Sequence, residues 1–106
     1  MSEGGSSINR GDTFYLDFER IRKHDGDIYY WYLMDRLKPN KYGDLSAKAY
    51  LQGDCKLFRF KILSGSYHKE PMGGGTAEPS TYSGDDWKYP SPNSAMEFLL
   101  KKVCSR

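Results

Sequence analysis

The sequence predicts an α+β fold: a five- to six-stranded antiparallel sheet with one C-terminal helix packed on one face and tied to it by a disulfide. Three observations carry the prediction. Runs of alternating apolar and polar residues, separated by tight-turn signals, read as strands joined by hairpins. One apolar stripe at helical spacing lies near the C-terminus. The only two cysteines, Cys55 and Cys104, fall on a hairpin and on that stripe. Hairpin connections throughout exclude a doubly wound parallel sheet, which needs crossover helices.

The first strand spans Thr13 to Arg20, with Phe14, Leu16 and Phe18 on one face and Thr13, Asp17 and Glu19 on the other. Ile21 is out of phase and marks a bulge or the strand end. Asp25-Gly26 signals a tight hairpin. Ile28 to Leu37 is apolar and aromatic on both faces, so it reads as a central strand covered on two sides. A helix is the competing reading for such a run, but its β-favouring composition and flanking Asp-Gly and Pro39-Asn40 favour a strand.

Leu45, Ala47, Ala49 and Leu51 alternate with Ser46, Lys48, Tyr50 and Gln52, and Gly53-Asp54 marks a turn. The return strand, Leu57 to Leu63, turns Phe58, Phe60 and Ile62 inward and Arg59 and Lys61 outward. Cys55 is placed at the tip or flank of this hairpin. Ser66 to Lys69 reads as a further short strand, Pro71 to Gly75 as a flexible loop, and Glu78 to Asp86 as turn-rich. Trp87-Lys88-Tyr89 extends an edge or covers the core, and Pro90 and Pro92 end any strand there. In the helix, Ser94 and Glu97 form a capping box, and Met96, Leu99, Leu100, Val103 and Cys104 form the buried stripe. Lys101 and Lys102 suit its negative end. A helix of about 11 residues is marginal alone and needs the sheet beneath it.

A chain of 106 residues is one domain. Residues 1–11, with Ser2-Glu-Gly-Gly-Ser-Ser7 among them, are expected to be a disordered, solvated tail or an expression remnant, and residues 12–106 the domain. The start carries no apolar signal core, so an exported protein is expected here in mature or excised form. A Cys55–Cys104 bridge implies an oxidising compartment; two buried free thiols in a cytosolic protein are the alternative. The net charge of +2, without a long basic run, argues against a nucleic-acid partner, and no apolar window spans a membrane.

No motif carries chemistry. Gly73-Gly74-Gly75 lacks the Lys-Ser or Lys-Thr and the helix of a phosphate cradle. Cys55, Cys104, His24 and His68 lack zinc-ligand spacing, and Asp25, Asp27, Asp85 and Asp86 lack that of a calcium loop. A nucleophile-and-base set would need a free cysteine, so no enzyme, metal or cofactor is expected. Nine tyrosines suit half-buried sheet faces and recognition surfaces alike. Arg20, Arg22 and Lys23, with Arg36, Lys38 and Lys41, form two modest basic clusters. They are ordinary solvated strand ends or a patch for an acidic or sulfated partner.

Asp54-Cys-Lys56, Pro71-Met-Gly73, Trp87-Lys-Tyr89, Pro92-Asn-Ser94 and Leu99-Leu-Lys-Lys-Val-Cys104 together resemble the surface-adhesin protein E domain of Gram-negative bacteria, over Asp12 to Cys104. The resemblance implies an antiparallel sheet tied to its C-terminal helix by a disulfide. It also implies export to the periplasm or cell surface, often with a lipid anchor. For some members it implies binding of host vitronectin, laminin or plasminogen. The functional expectation is a non-enzymatic cell-envelope binding module contacting host matrix or plasma proteins, a monomer or weak dimer. The alternative is a periplasmic accessory or ligand carrier without adhesive role. Arg22, Lys23, Lys38 and Lys41 are the candidate contact residues.

Overall fold

The computed structural model describes residues 6–7, 12–80 and 86–105. Seven strands form one antiparallel sheet: β1 (Ser6–Ser7), β2 (Asp12–Leu16), β3 (Arg22–His24), β4 (Asp27–Arg36), β5 (Ser46–Asp54), β6 (Arg59–His68) and β7 (Ala77–Ser80). The order is β1-β2-β4-β5-β6-β7, and β3 pairs with β4 on the side that β2 occupies further along. β2 and β3 thus fill one position, and the sheet is six strands wide. One α-helix among the described residues, α1 (Ala95–Cys104), covers one face. The predicted α+β architecture is the one observed. Apart from Ser6–Ser7, the N-terminal tail lies outside the described residues, as do residues 81–85 of the turn-rich segment.

The first strand is shorter than its alternation suggests. It ends at Leu16, and Phe18–Arg20 form a 3-10 turn before β3 begins. Asp17 is the cause. Its carboxylate accepts from Glu19 N–H at 3.3 Å and pairs with Arg20 at 3.4 Å, and it is buried rather than on a wet face. Asp25 and Gly26, both at positive φ (51° and 84°), close the β3–β4 hairpin that Asp-Gly predicts. β4 is central, with β2 and β3 on one side and β5 on the other.

The β5–β6 turn comes two residues later than expected. Gly53 and Asp54 stay in the ladder and pair with Phe60 and Arg59. The chain reverses over residues 55–58, because Asp54 Oδ1 accepts from the N–H groups of Lys56 (3.0 Å) and Leu57 (3.2 Å). β6 is one continuous ten-residue strand, not two short ones. The register shifts between Tyr50↔Ser64 and Leu51↔Ile62, which leaves Leu63 as a bulge residue. The bulge reverses the alternation, so Ser64, Ser66 and His68 continue the face of Arg59 and Lys61. β7 falls where turns alone are expected. Pro79 is tolerated because β7 is an edge strand.

The core lies between the sheet and α1. Phe14, Leu16, Ile28, Tyr30, Ala49, Leu51 and Phe60 from the sheet meet Ala95, Leu99, Leu100 and Val103 from the helix. Ser94 caps α1 by accepting from Glu97 N–H, and Glu97 Oε1 accepts from Asn93 N–H. Gly53 allows the helix its approach: a Cβ there would lie 2.9 Å from Leu100 Cδ1. Cys55 in the turn bonds to Cys104 on the last turn of α1, Cα to Cα 5.7 Å, across 49 residues of chain.

Candidate binding face

The sheet face opposite α1 carries the chemistry. The Asp25-Gly26 hairpin sets the phase of β4, which turns Ile28 and Tyr30 to the core and Tyr29, Trp31, Leu33 and Asp35 to the other side. Register then brings Tyr29 beside Gln52, Trp31 beside Tyr50, and Leu33 beside Lys48. The rings of Trp31 and Tyr50 stack at 4.8 Å, and Tyr29 and Tyr50 lie 6.2 Å apart. All three are half-buried. The stack is closed on the β3 side by Arg22, which pairs with Tyr29, and on the β6 side by Lys61, which pairs with Gln52.

Beyond β6 the backbone of Lys88 bonds to Phe60 in both directions, at 2.9 and 2.8 Å. Pairing Lys88 with Phe60 sends Trp87 and Tyr89 to the open face. Trp87 lies over Arg59 (4.3 Å) and Lys61 (4.5 Å), a double cation–π contact. Arg59 also pairs with Asp54 at 2.9 Å. The Leu57 N–H, then Arg59 and Lys56, hold the Asp54 carboxyl below its usual range. Lys61 has no carboxylate partner among the described residues, and Arg22 donates to backbone carbonyls of Glu19 and Ile21. The result is an aromatic strip flanked by uncompensated cations.

One end of this face is capped. Met72 N–H donates to Asp35 Oδ1 (2.7 Å), Gly73 N–H donates to Ser46 Oγ (2.8 Å), and the Ser46 hydroxyl donates to the Glu70 carbonyl (2.6 Å). The segment expected to be a flexible loop is therefore pinned to the sheet as a 3-10 turn, Pro71–Gly73, and it covers Leu33 and Ser46. Between this cap and Trp31 lies a recess of about 220 Å³ lined by Asp17, Arg20, Trp31, Lys48, Ser66 and His68. His68 is buried, with Nε2 2.8 Å from Ser66 Oγ. Burial, followed by the Lys48 charge, lowers its pKa below the ordinary histidine value. No carboxylate holds Nδ1 among the described residues, so Ser66 and His68 do not make a nucleophilic triad.

The four basic residues picked out from the sequence do not meet. Arg22 and Lys23 sit on β3, and Lys38 and Lys41 follow the far end of β4. Arg22 pairs with Tyr29 and Asp12 with Arg36, seven residues further along β4, so the two pairs lie about 23 Å apart. Arg22 faces the aromatic strip. Lys23 pairs with Ile28 on the helix side and lines a recess beside Cys55 and Cys104. Lys41 packs over the exposed Tyr42 ring. Lys48, Arg59, Lys61 and the stack of Tyr29, Tyr50 and Trp31 were not singled out as a site. The alternation of Lys48, Tyr50, Arg59 and Lys61 was legible, whereas Tyr29 and Trp31 lie in a run expected to be covered on both faces; the convergence depends on strand register.

The surface-adhesin protein E family profile matches residues 4–105. The chain belongs to the surface-adhesin protein E family. Solved structures agree in fold. The selenomethionine form of Haemophilus influenzae protein E superposes with a TM-score of 0.74 at 12% identity, covering 99% of this chain and 88% of that one. Crystal form II of the same protein gives a TM-score of 0.71 at 14% identity, covering 87% and 80%. Protein E from non-typeable Haemophilus influenzae gives 0.71 at 13% identity, covering 99% and 78%. No curated protein matches by sequence. As a member of the surface-adhesin protein E family, the chain is an adhesin-type envelope protein. Among the described residues, no helix is long and apolar enough to cross a membrane.

Proposed function

We propose that this surface-adhesin protein E domain is a non-enzymatic module of the bacterial cell surface that contacts host matrix or plasma proteins through its open sheet face. The observation that supports this reading is the Tyr29–Tyr50–Trp31 stack with Arg22, Lys61 and the Trp87 platform around it. Aromatic and arginine side chains are the usual anchors of protein interfaces, the aromatics because they bury large area at little entropic cost and arginine because its planar fork makes directed hydrogen bonds and stacks on rings. Arg22 is retained from the four residues chosen from the sequence. Lys23, Lys38 and Lys41 lie outside the proposed contact. The test is binding of purified domain to immobilised vitronectin, laminin and plasminogen. Saturable micromolar binding that weakens in Trp31→Ala and Tyr50→Ala variants supports the reading. No binding to any of the three would favour a periplasmic accessory or carrier role.

A further inference from the structure

We infer that the recess beside Trp31 is a binding site for one acidic sugar of an anionic polysaccharide. Three features on the open face argue for it. The recess has one aromatic wall, the Trp31 indole, whose electron-rich face suits the C–H face of a sugar ring. Its charge is positive: Asp17 is compensated by Arg20 at 3.4 Å, which leaves Lys48 without a carboxylate partner among the described residues. Its remaining wall is polar, formed by the half-buried Ser66 hydroxyl, which is paired with the Nε2 of the buried His68 at 2.8 Å. Few convergent polar groups beside an aromatic wall are the usual make-up of a small-ligand site.

The neighbours extend the match. A chain leaving the recess along the sheet passes Tyr50 and then Gln52, and reaches the cations Lys61 and Arg22. A repeating anion meets Lys48 first and the pair Lys61 and Arg22 after it. An acidic peptide is the competing occupant. A bound peptide seeks either a free strand edge or apolar pockets for alternate side chains. The recess offers neither: β4 and β5 beneath it have neighbours on both sides, β6 is paired with β7 at Ser66 and His68, and the apolar Leu33 nearby is covered by the Pro71–Gly73 turn. Aromatic wall, cations and hydroxyl together favour the sugar.

The inference uses the same face as the protein-contact reading but does not depend on it, because free oligosaccharide is measured with no host protein present. The probes are a heparin-derived octasaccharide, its fully desulfated counterpart, neutral dextran and poly-glutamate. The readout is the pair of tryptophan indole N–H signals in ¹H–¹⁵N spectra, with affinity from calorimetry. The Trp31 signal is expected to shift with the heparin fragment, not with dextran, and only at higher concentration with poly-glutamate. Retained binding of the desulfated chain would assign the recess to a carboxylate, and its loss to a sulfate; both outcomes support an acidic sugar. The Lys48→Gln variant should bind the heparin fragment about tenfold more weakly or worse, with its fold intact by the other indole signal. The inference is overturned if the Trp31 signal is unmoved at millimolar sugar, if poly-glutamate binds as tightly as the heparin fragment, or if Lys48→Gln binds as the native chain does.

Discussion

Replacing Gly53 with alanine should destabilise this protein, although glycine-to-alanine changes in regular structure usually help. Gly53 lies in β5 with an ordinary extended φ, so the native backbone does not require glycine. Alanine there would gain about 0.4–1 kcal/mol by restricting the unfolded chain. Against that, its Cβ would fall 2.9 Å from Leu100 Cδ1, 3.1 Å from Ile28 Cγ2 and 3.2 Å from Tyr30 Cε1. All three neighbours are essentially fully buried, so none can swing into solvent. Overpacking of this kind costs about 1–3 kcal/mol, and the net loss should be about 1–2 kcal/mol. Urea titration at constant m-value measures it. Leu100→Ala supplies the control. Alone it should cost about 2–5 kcal/mol, because Leu100 is fully buried between α1 and the sheet. It also removes the nearest of the three atoms and opens space beside the other two, so Gly53→Ala in that background should cost markedly less, a coupling of about 1 kcal/mol or more. A Gly53→Ala protein more stable than the native one, or an equal cost in both backgrounds, would refute the docking geometry.

Other perturbations have defined outcomes. Reducing Cys55–Cys104, which spans 49 residues, should lower stability by about 4 kcal/mol on the loop-entropy model and be seen as a lower Tm. Mass spectrometry of the unreduced protein should show two hydrogens fewer than the reduced form. The Tyr30 hydroxyl is buried without a hydrogen-bond partner among the described residues, and its pKa is pushed far up by burial and then by Tyr32. Tyr30→Phe should therefore be neutral or stabilising in urea titration, since the lost hydroxyl satisfies nothing. His68 is held below its ordinary pKa, so the unfolded chain binds a proton that the folded one resists. Its contribution to stability is full above about pH 6.5 and is lost as pH falls from there towards its folded value. His68→Gln should flatten the stability profile between about pH 7 and 5, where the lowered carboxyls of Asp44 and Asp54 do not yet titrate.

Much of the fold was legible because its signals are local. Asp25-Gly26 specifies its hairpin, the Ser94–Glu97 box opens α1, and the stripe from Met96 to Cys104 chooses the buried helix face. What was missed depends on contacts distant in sequence. Asp17 ends β2 by capping a turn that alternation cannot reveal. The Leu63 bulge depends on β5 for its register, and Ser46 is buried because residues 70–73 fold back on it. Ala77–Ser80 has little strand character of its own and pairs because β6 offers an edge. The candidate face failed to appear for the same reason. Lys48, Tyr50 and Lys61 read as facing away from the apolar side, Tyr29 and Trp31 sit in a run expected to be covered on both faces although α1 covers only one, and only strand register gathers the five. Charge density along the chain instead favoured Lys38 and Lys41, which the length of β4 separates from Arg22.

Paired charge reversal on the folded domain tests the central claim most directly. Arg22→Glu with Lys61→Glu changes two cations on the aromatic face; Lys38→Glu with Lys41→Glu changes two at the far end of β4 by the same net charge. Binding to immobilised vitronectin and laminin is compared for the two variants at matched ionic strength. The account predicts that the first pair loses binding by at least about tenfold while the second stays near the native affinity. Equal losses in both variants, or loss only in the second, would contradict the assignment of the open sheet face as the contact surface.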